Sequence, residues 1–458
     1  MSDAAGLPQH DRNRGLVYAD SEAKIHPRLA ESWTISADGT QYVFKIRQGV
    51  KFHSGKEMTV EDVVFSLERN KSMSYMKNYT GGIEKIEKTG DWEVTVTLAG
   101  ADNGFLYNLF NLKIVDKAQV DAMGDDFGNK PNYAGAGPYK IVSWDPNTLI
   151  KLERHEDYYG ECGNIETVNV HVVSNASTRV TALQTGELDF ITVPSANWDQ
   201  VQKSGKFNTV LASGTRTLQV VLNWYREGSP MNDKRVRQAV KYATNRDAIV
   251  QVAAGGLGEV AIVQCNPKFI MGSSSEGFED SFKYDPEKAK QLLADAGYPN
   301  GVELGILLVT NTYDNEAVAQ MLQNMWEQVG IKCTIEMAES STASALSKDG
   351  YQDFYITVAN YVHHMSNLKR AIHSSSYKTT VAKYSGPAAD EIDSYMDNAQ
   401  AALTDKERDE WYQKANEFLL DFAVNFPIYY LSNPYAWDKD LDATIGTYYL
   451  YIQEWNWT

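Results

Sequence analysis

Residues 285–310 read DPEKAKQLLADAGYPNGVELGILLVT, and residues 331–337 read IKCTIEM. Asp285 and Pro286 stand at the cap and first position of a helix, Ala289, Leu292, Leu293 and Ala296 form its apolar stripe, and Gly297 ends it. VELGILLVT follows as a nearly all-apolar strand. Val318, Met321, Leu322, Met325 and Val329 then recur at helical spacing up to Gly330, and IKCTIEM supplies the next strand. Strand, helix and strand with short links make a βαβ unit, which predicts a parallel sheet with a right-handed crossover. FYITVA, residues 354–359, predicts a further strand of that sheet, and the fold class is α/β.

The first hundred residues carry a different pattern. In WTISADGTQYVFKIRQGVKF, Trp33 and Ile35, then Tyr42, Phe44 and Ile46, alternate with polar residues on either side of Asp38-Gly39, which predicts a hairpin. Thr59 caps the helix VEDVVFSLERN, with Val63, Val64 and Leu67 on its apolar face and Glu61 and Asp62 beside its positive end. KIEKTGDWEVTVTLAG adds strands, closing a small mixed domain before the glycine-rich AGAGPYKIVSW. There Gly135, Gly137 and Pro138 predict a backbone turn.

The chain of 458 residues is too long for one core and predicts two to four domains. Its 60 acidic residues against 43 basic ones are scattered without blocks, giving a net charge of −17 that argues against nucleic acid as a partner. The 27 tyrosines and 10 tryptophans exceed what a core alone needs and suggest an aromatic-lined cleft. Cys162, Cys265 and Cys333 are too far apart for a metal or redox motif; three buried thiols, or one disulfide and one thiol, fit them. No apolar run is long enough to span a bilayer. MSDAAGLPQH lacks the regions of a secretion signal, which fits a cytosolic chain or one whose signal was removed. No Gly-x-Ser-x-Gly elbow, phosphate loop, His-Glu-x-x-His or dinucleotide fingerprint is found, so no enzyme is expected.

Two stretches carry the binding candidates. NYVHHMSNLKRAIH, residues 360–373, follows FYITVA, and in open parallel sheets ligands bind beyond the carboxyl ends of strands. Asn360, Tyr361, His363, His364, Lys369 and Arg370 are therefore placed at a cleft. Asn223, Trp224 and Tyr225 follow the apolar LQVVL and would deliver one amide and two rings to the same crevice. Trp144 and Trp437 are lesser candidates. Asp233, Arg235 and Arg237 read as a helix cap and its pins.

Six blocks, in order, resemble one family. PRLAESWTISADGTQYVFKIRQGVKFHSGKEMTVEDVVFSLER, AGAGPYKI, TALQTGELDFI, LNWYREGSPMNDKRVRQAVKYATNRDAIV, DPEKAKQLLADAGYPNG and NFPIYYLSNPYAW are similar to the extracytoplasmic solute-binding proteins of the peptide and nickel ABC importers. The resemblance covers nearly the whole chain. It implies a two-lobed periplasmic-binding-protein-like fold with mixed sheets and an extra small domain, closing over a ligand and feeding a membrane permease. The implied division is a lobe I core of residues 1–17, 136–228 and 431–458, an accessory domain of 18–135, and lobe II of 229–430. It also implies a monomer outside the cytoplasm, at the cell surface or in the periplasm. The family's lipid-anchoring cysteine is absent from this chain, consistent with a removed leader.

Peptide-binding members carry an acid where this chain has Asn360, and that carboxylate holds the peptide's α-ammonium. Asn360 brings no charge, so a buried ammonium there would go unpaired. The nickel-chelate binders resemble this chain in a histidine a few residues after the tyrosine, where His363 and His364 stand. One of the two would ligate a nickel or other transition-metal ion carried within the ligand, with no cofactor of the protein's own. Lys369 and Arg370 would meet the carboxylates of the carrier. A short peptide is the alternative ligand.

Overall fold

Alternation around Asp38-Gly39 builds the hairpin that the sequence predicts. The Asp38 carboxylate accepts from the Ser36 hydroxyl at 2.6 Å and from the Thr40 amide at 3.1 Å, closing the turn. The computed structural model describes residues 13–20, 22–145, 147–281, 283–310, 315–375, 387–446 and 450–458. The chain divides into two units, Met1–Ala212 with Pro434–Thr458, and Ser213–Asn433.

In the first unit, β1 (Val17–Ala19) pairs with β2 (Ile25–Pro27). β3 (Ala30–Ile35) and β4 (Gln41–Ile46) form the hairpin; helix α1 (Val60–Ser72) follows, then β5 (Ile83–Gly90) and β6 (Glu93–Leu98). These four strands form an antiparallel sheet in the order β3-β4-β6-β5. Tyr42, Phe44 and Ile46 from β4 and Val94, Val96 and Leu98 from β6 share a core with Val60, Val63 and Leu67 of α1. Thr59 caps α1 as expected, and Asp62 answers it in a capping box. A second core of this unit gathers β7 (Tyr139–Asp145), β8 (Leu149–Arg154) and β9 (Thr167–His171). Tyr139, Ile141, Ile150 and Leu152 pack there with Trp437 and Trp455, and Trp144 packs at its margin. β10 (Phe190–Thr192) pairs with Tyr435–Trp437.

The second unit is built on a sheet of strands β11 (Asn208–Leu222), β12 (Gly258–Val260), β13 (Val302–Thr310), β14 (Ile331–Ala338), β15 (Phe354–Asn360) and β16 (Asn425–Trp437). Its order runs β16-β11-β15-β13-β14, with β12 on β16. The predicted βαβ unit is present, since β13 lies parallel to both β14 and β15. The sheet as a whole is mixed, as the family resemblance implies: beyond the parallel βαβ unit, β15 runs antiparallel to β11. β11 arrives directly from the other unit rather than through a crossover helix, so nothing requires it to run parallel.

Helices cover both faces, which is why these strands read as almost continuous apolar runs. Leu218, Val220 and Leu222 of β11, Leu307 and Val309 of β13, and Phe354 and Ile356 of β15 face α2 (Lys234–Tyr242), α3 (Pro286–Asp295) and α4 (Asn315–Glu327). The intervening Val221, Leu308 and Tyr355 face α5 (Ser366–Ile372), α6 (Pro387–Ala401) and α7 (Asp405–Phe422). Asp285 caps α3 and Asp233 caps α2, each as its sequence predicts. No disulfide joins Cys162, Cys265 and Cys333, and of the three only Cys265 is fully buried.

Candidate functional site

Segment 360–373 begins where β15 ends. The Asn360 side-chain oxygen accepts a hydrogen bond from the Thr215 hydroxyl at 2.8 Å, and Arg216 is its cross-strand partner. Arg216 in turn donates to the side-chain oxygen of Asn433. Tyr361 turns inward and directs its hydroxyl to Gln219 at 3.4 Å. His363 takes a left-handed backbone conformation with φ of 63°, a conformation that costs an L-residue about 1 kcal/mol. Met271 holds this turn from both sides: its amide donates to the His363 carbonyl at 3.0 Å, and its carbonyl accepts from Met365 at 2.9 Å.

The turn places both imidazoles in the interior of the second unit, 1% and 0% exposed. His364 meets the Tyr412 ring edge-on at 5.9 Å, and its Nδ1 accepts from the Ser366 amide at 3.2 Å. Burial first, then the charge of Arg408 and the neighbouring His363, pushes the His364 pKa down to about 3. The ring is therefore neutral, the form a metal ligand requires. Lys369 and Arg370 lie on α5. The Lys369 ammonium binds Asp397 at 2.5 Å and Gln400 at 2.6 Å on α6, and Arg370 donates to Asn367 within its own helix.

Asn223, Trp224 and Tyr225 sit elsewhere. Register pairs Arg216 with Asn360 and Leu222 with Phe354, so Asn223 lies beside the start of β15, roughly 20 Å along the strand from Asn360. In an antiparallel pair the carboxyl ends point apart, and the two groups of candidates occupy opposite ends of these two neighbouring strands. Buried Asn223 donates to the carbonyls of Gly350 at 3.1 Å and Gln352 at 2.8 Å, tying the strand end to the loop before β15. Trp224 packs edge-on against Phe422 at 5.0 Å, with the Arg237 guanidinium 5.6 Å from its ring centre. Tyr225 is half-buried against Gly350, and burial raises the pKa of its phenol. Arg237 pins the end of α7 by donating to the Phe422 carbonyl at 3.0 Å.

Sequence reasoning missed a cationic cluster in the first unit. An isolated bridge pairs Arg14 with Ile114, and the Arg28 amide donates to the Leu16 carbonyl at 3.0 Å, so Arg14, Arg28 and Lys113 converge from three separate stretches. Tyr158, Tyr159 and Tyr451 stand around them. No local spacing could have revealed a group spread over a hundred residues. Among the described residues no group of three His, Cys, Asp or Glu side chains is arranged to hold a metal, and no helix is long and apolar enough to cross a membrane.

Comparison with known proteins agrees with this architecture. The family model for bacterial extracellular solute-binding proteins, family 5, matches residues 24–378. The oligopeptide-binding protein AppA of Bacillus subtilis (strain 168) is 26% identical over 463 aligned positions, covering 93% of this chain and 82% of that protein. The periplasmic binding protein DppA of Helicobacter pylori, solved in complex with the peptide STSA, superposes with a TM-score of 0.83 at 26% identity over 97% of this chain and 91% of its own. NikA of Brucella suis, solved with Fe(III)-EDTA, shares the fold with a TM-score of 0.88 at 20% identity, covering 99% of this chain and 95% of its own. The two-lobed, mixed α/β architecture of periplasmic binding proteins is thus shared across the length of the chain, which belongs to the bacterial extracellular solute-binding proteins of family 5.

Proposed function

We propose that the protein is the extracytoplasmic receptor of an ABC importer and that its cargo is a small, carboxylate-bearing solute, a metal chelate or a related amino-acid-like carrier. The observation that carries the ligand reading is Asn360. It is neutral, its oxygen is engaged by Thr215, and its cross-strand neighbour is a guanidinium. Such a strand end suits an anionic group better than an ammonium, because it offers an ammonium no carboxylate while a guanidinium stands across the strand from it. Where the cargo carries a metal, His363 or His364 is the ligand we propose for it, and binding then requires one of these imidazoles, buried in this structure, to be uncovered.

A short peptide is the second reading, favoured by the peptide ligands named for AppA and DppA. Native mass spectrometry of protein purified without chelators should reveal a co-purified mass of the cargo's class. Calorimetry with nickel–histidine and with a dipeptide then separates the two. Asn360→Asp should shift preference toward ligands with a free amine while leaving the fold intact, since the side chains are isosteric. Binding of metal-free peptides alone, with no response to nickel–histidine, would sink the chelate reading.

A further inference from the structure

Between the end of α1 and the start of β5 the chain of the first unit forms a cleft of 320 Å³, whose lining includes Lys71, Met73, Ser74, Lys77, Thr80 and Ile83. Two tight turns shape it: the Met76 amide donates to the Met73 carbonyl at 3.0 Å, and the Gly81 amide to the Lys77 carbonyl at 2.7 Å. The apolar part of the lining is fixed. Ile83 is buried in the core shared with α1, and Thr80 is buried with its hydroxyl donating to the Met76 carbonyl at 3.1 Å. The half-buried Met73 thioether accepts from the Tyr75 hydroxyl at 2.9 Å, and an Arg69 nitrogen lies 3.9 Å from the same sulfur.

The polar part of the lining is cationic. Lys71 stands in the last turn of α1, and its ammonium donates to the Glu84 carbonyl at 2.8 Å, which uses one of its three donors. Lys77 is exposed, and among the described residues its ammonium has no partner. Neither lysine has a carboxylate within ion-pair distance among those residues, whereas two lysines of β5 are paired, Lys85 with Glu87 and Lys88 with Glu61, each at 2.7 Å. The exposed Ser74 hydroxyl likewise has no protein partner there. Unused donors beside apolar groups suit an amphipathic anion: the two ammoniums take its charged head, and Met73 and Ile83 its apolar body. The volume lies at the small end for ligand pockets, which restricts that body to a short chain or one ring.

We infer that this cleft is a second binding site, for a small organic anion with a carboxylate or phosphate head and a short apolar body. Soluble metabolites and membrane lipids both carry such heads, and the lining recognises the chemistry they share. All of its residues belong to the first unit, whereas Asn360, His363 and His364 belong to the second. The inference is therefore independent of the cargo reading above, and either can fail without the other.

The test is NMR titration of the full chain, isotopically labelled at its methionine methyls, with hexanoate and, separately, hexyl phosphate. The Met73 resonance is assigned by its loss in Met73→Leu. One or both anions should shift it saturably, with a Kd on the order of 1 mM or tighter. Hexanol, which lacks the charge, should not, and inorganic phosphate, which lacks the body, should bind more weakly than hexyl phosphate. Lys77→Gln should weaken binding about threefold or more, and Lys71→Gln with Lys77→Gln about tenfold or more. Lys77 holds no protein partner among the described residues, so its variant should melt with the wild type. The exposed Lys203→Gln should bind as the wild type does. Sedimentation with phosphatidylglycerol vesicles then separates the sources: lysine-dependent retention assigns the head to a lipid, and no retention assigns it to a soluble anion. A Met73 resonance that neither anion moves, a shift that hexanol reproduces, or an affinity unchanged in the double variant overturns the inference.

Discussion

His364 shows what burial does to one side chain. Its pKa lies at 6.5 in the unfolded chain and near 3 in the folded one. Between those values the unfolded state binds a proton that the folded state excludes, so stability falls as pH drops, by up to about 1.4 kcal/mol per pH unit. His155 contributes in the same direction: burial lowers it, against a hydrogen bond to the Gly137 carbonyl at 3.2 Å. Urea midpoints of the wild type should therefore decline from pH 7 to pH 5. His364→Gln should decline less steeply over the same range, and equal slopes would mean that the imidazole titrates freely in the folded protein. The sequence identified these histidines as a pair worth attention. It could not reveal their burial, which depends on Met271 clamping the turn from ninety residues upstream.

At the scale of single elements, caps and pins are made of residues read correctly from sequence but joined in ways that spacing does not show. Thr59 caps α1 as predicted and Asp62 completes the capping box, yet the Asp62 carboxylate also binds Lys56 at 2.7 Å, and the same ammonium reaches Asp116 at 3.2 Å. Both carboxylates are buried, and Lys56→Met would strand them. The expected loss is about 2 kcal/mol, below the roughly 3–5 of a fully buried pair because the lysine keeps part of its surface in water. Chemical denaturation checks this, and an unchanged midpoint would show that the knot contributes nothing net. Trp224 offers a second case. It joins the end of β11 to Phe422 at the end of α7, so Trp224→Ala should cost about 2 kcal/mol of stability. Ligand affinity, measured by calorimetry on the folded variant, should stay within about a factor of two. A stable variant with weakened binding would return Trp224 to the ligand site.

Each of the two units holds its own hydrophobic cores, and the chain passes between them at Ala212–Ser213 and Asn433–Pro434. No disulfide joins the described residues Cys162, Cys265 and Cys333: reductant should leave the Tm unchanged, and three thiols should titrate once denaturant is added. In the native protein Cys265 and Cys333 should react slowly. Burial raises the Cys265 thiol, and burial with Glu327 pushes Cys333 up to about 12. Fast native reaction of all three would contradict the packing around them. Local pattern was enough for the hairpin at Asp38-Gly39, the capped helices at Thr59, Asp233 and Asp285, and the parallel strands of VELGILLVT and IKCTIEM. Each rests on contacts within a few residues, whose periodicity is written along the chain. The family was legible too, because its blocks are contiguous. Tertiary structure alone decided the direction of β11 beside β15, and with it the separation of Asn223 from Asn360. It alone drew Arg14, Arg28 and Lys113 together. Strand direction and charge clustering depend on partners far apart in sequence, and a pattern of neighbours carries no record of them.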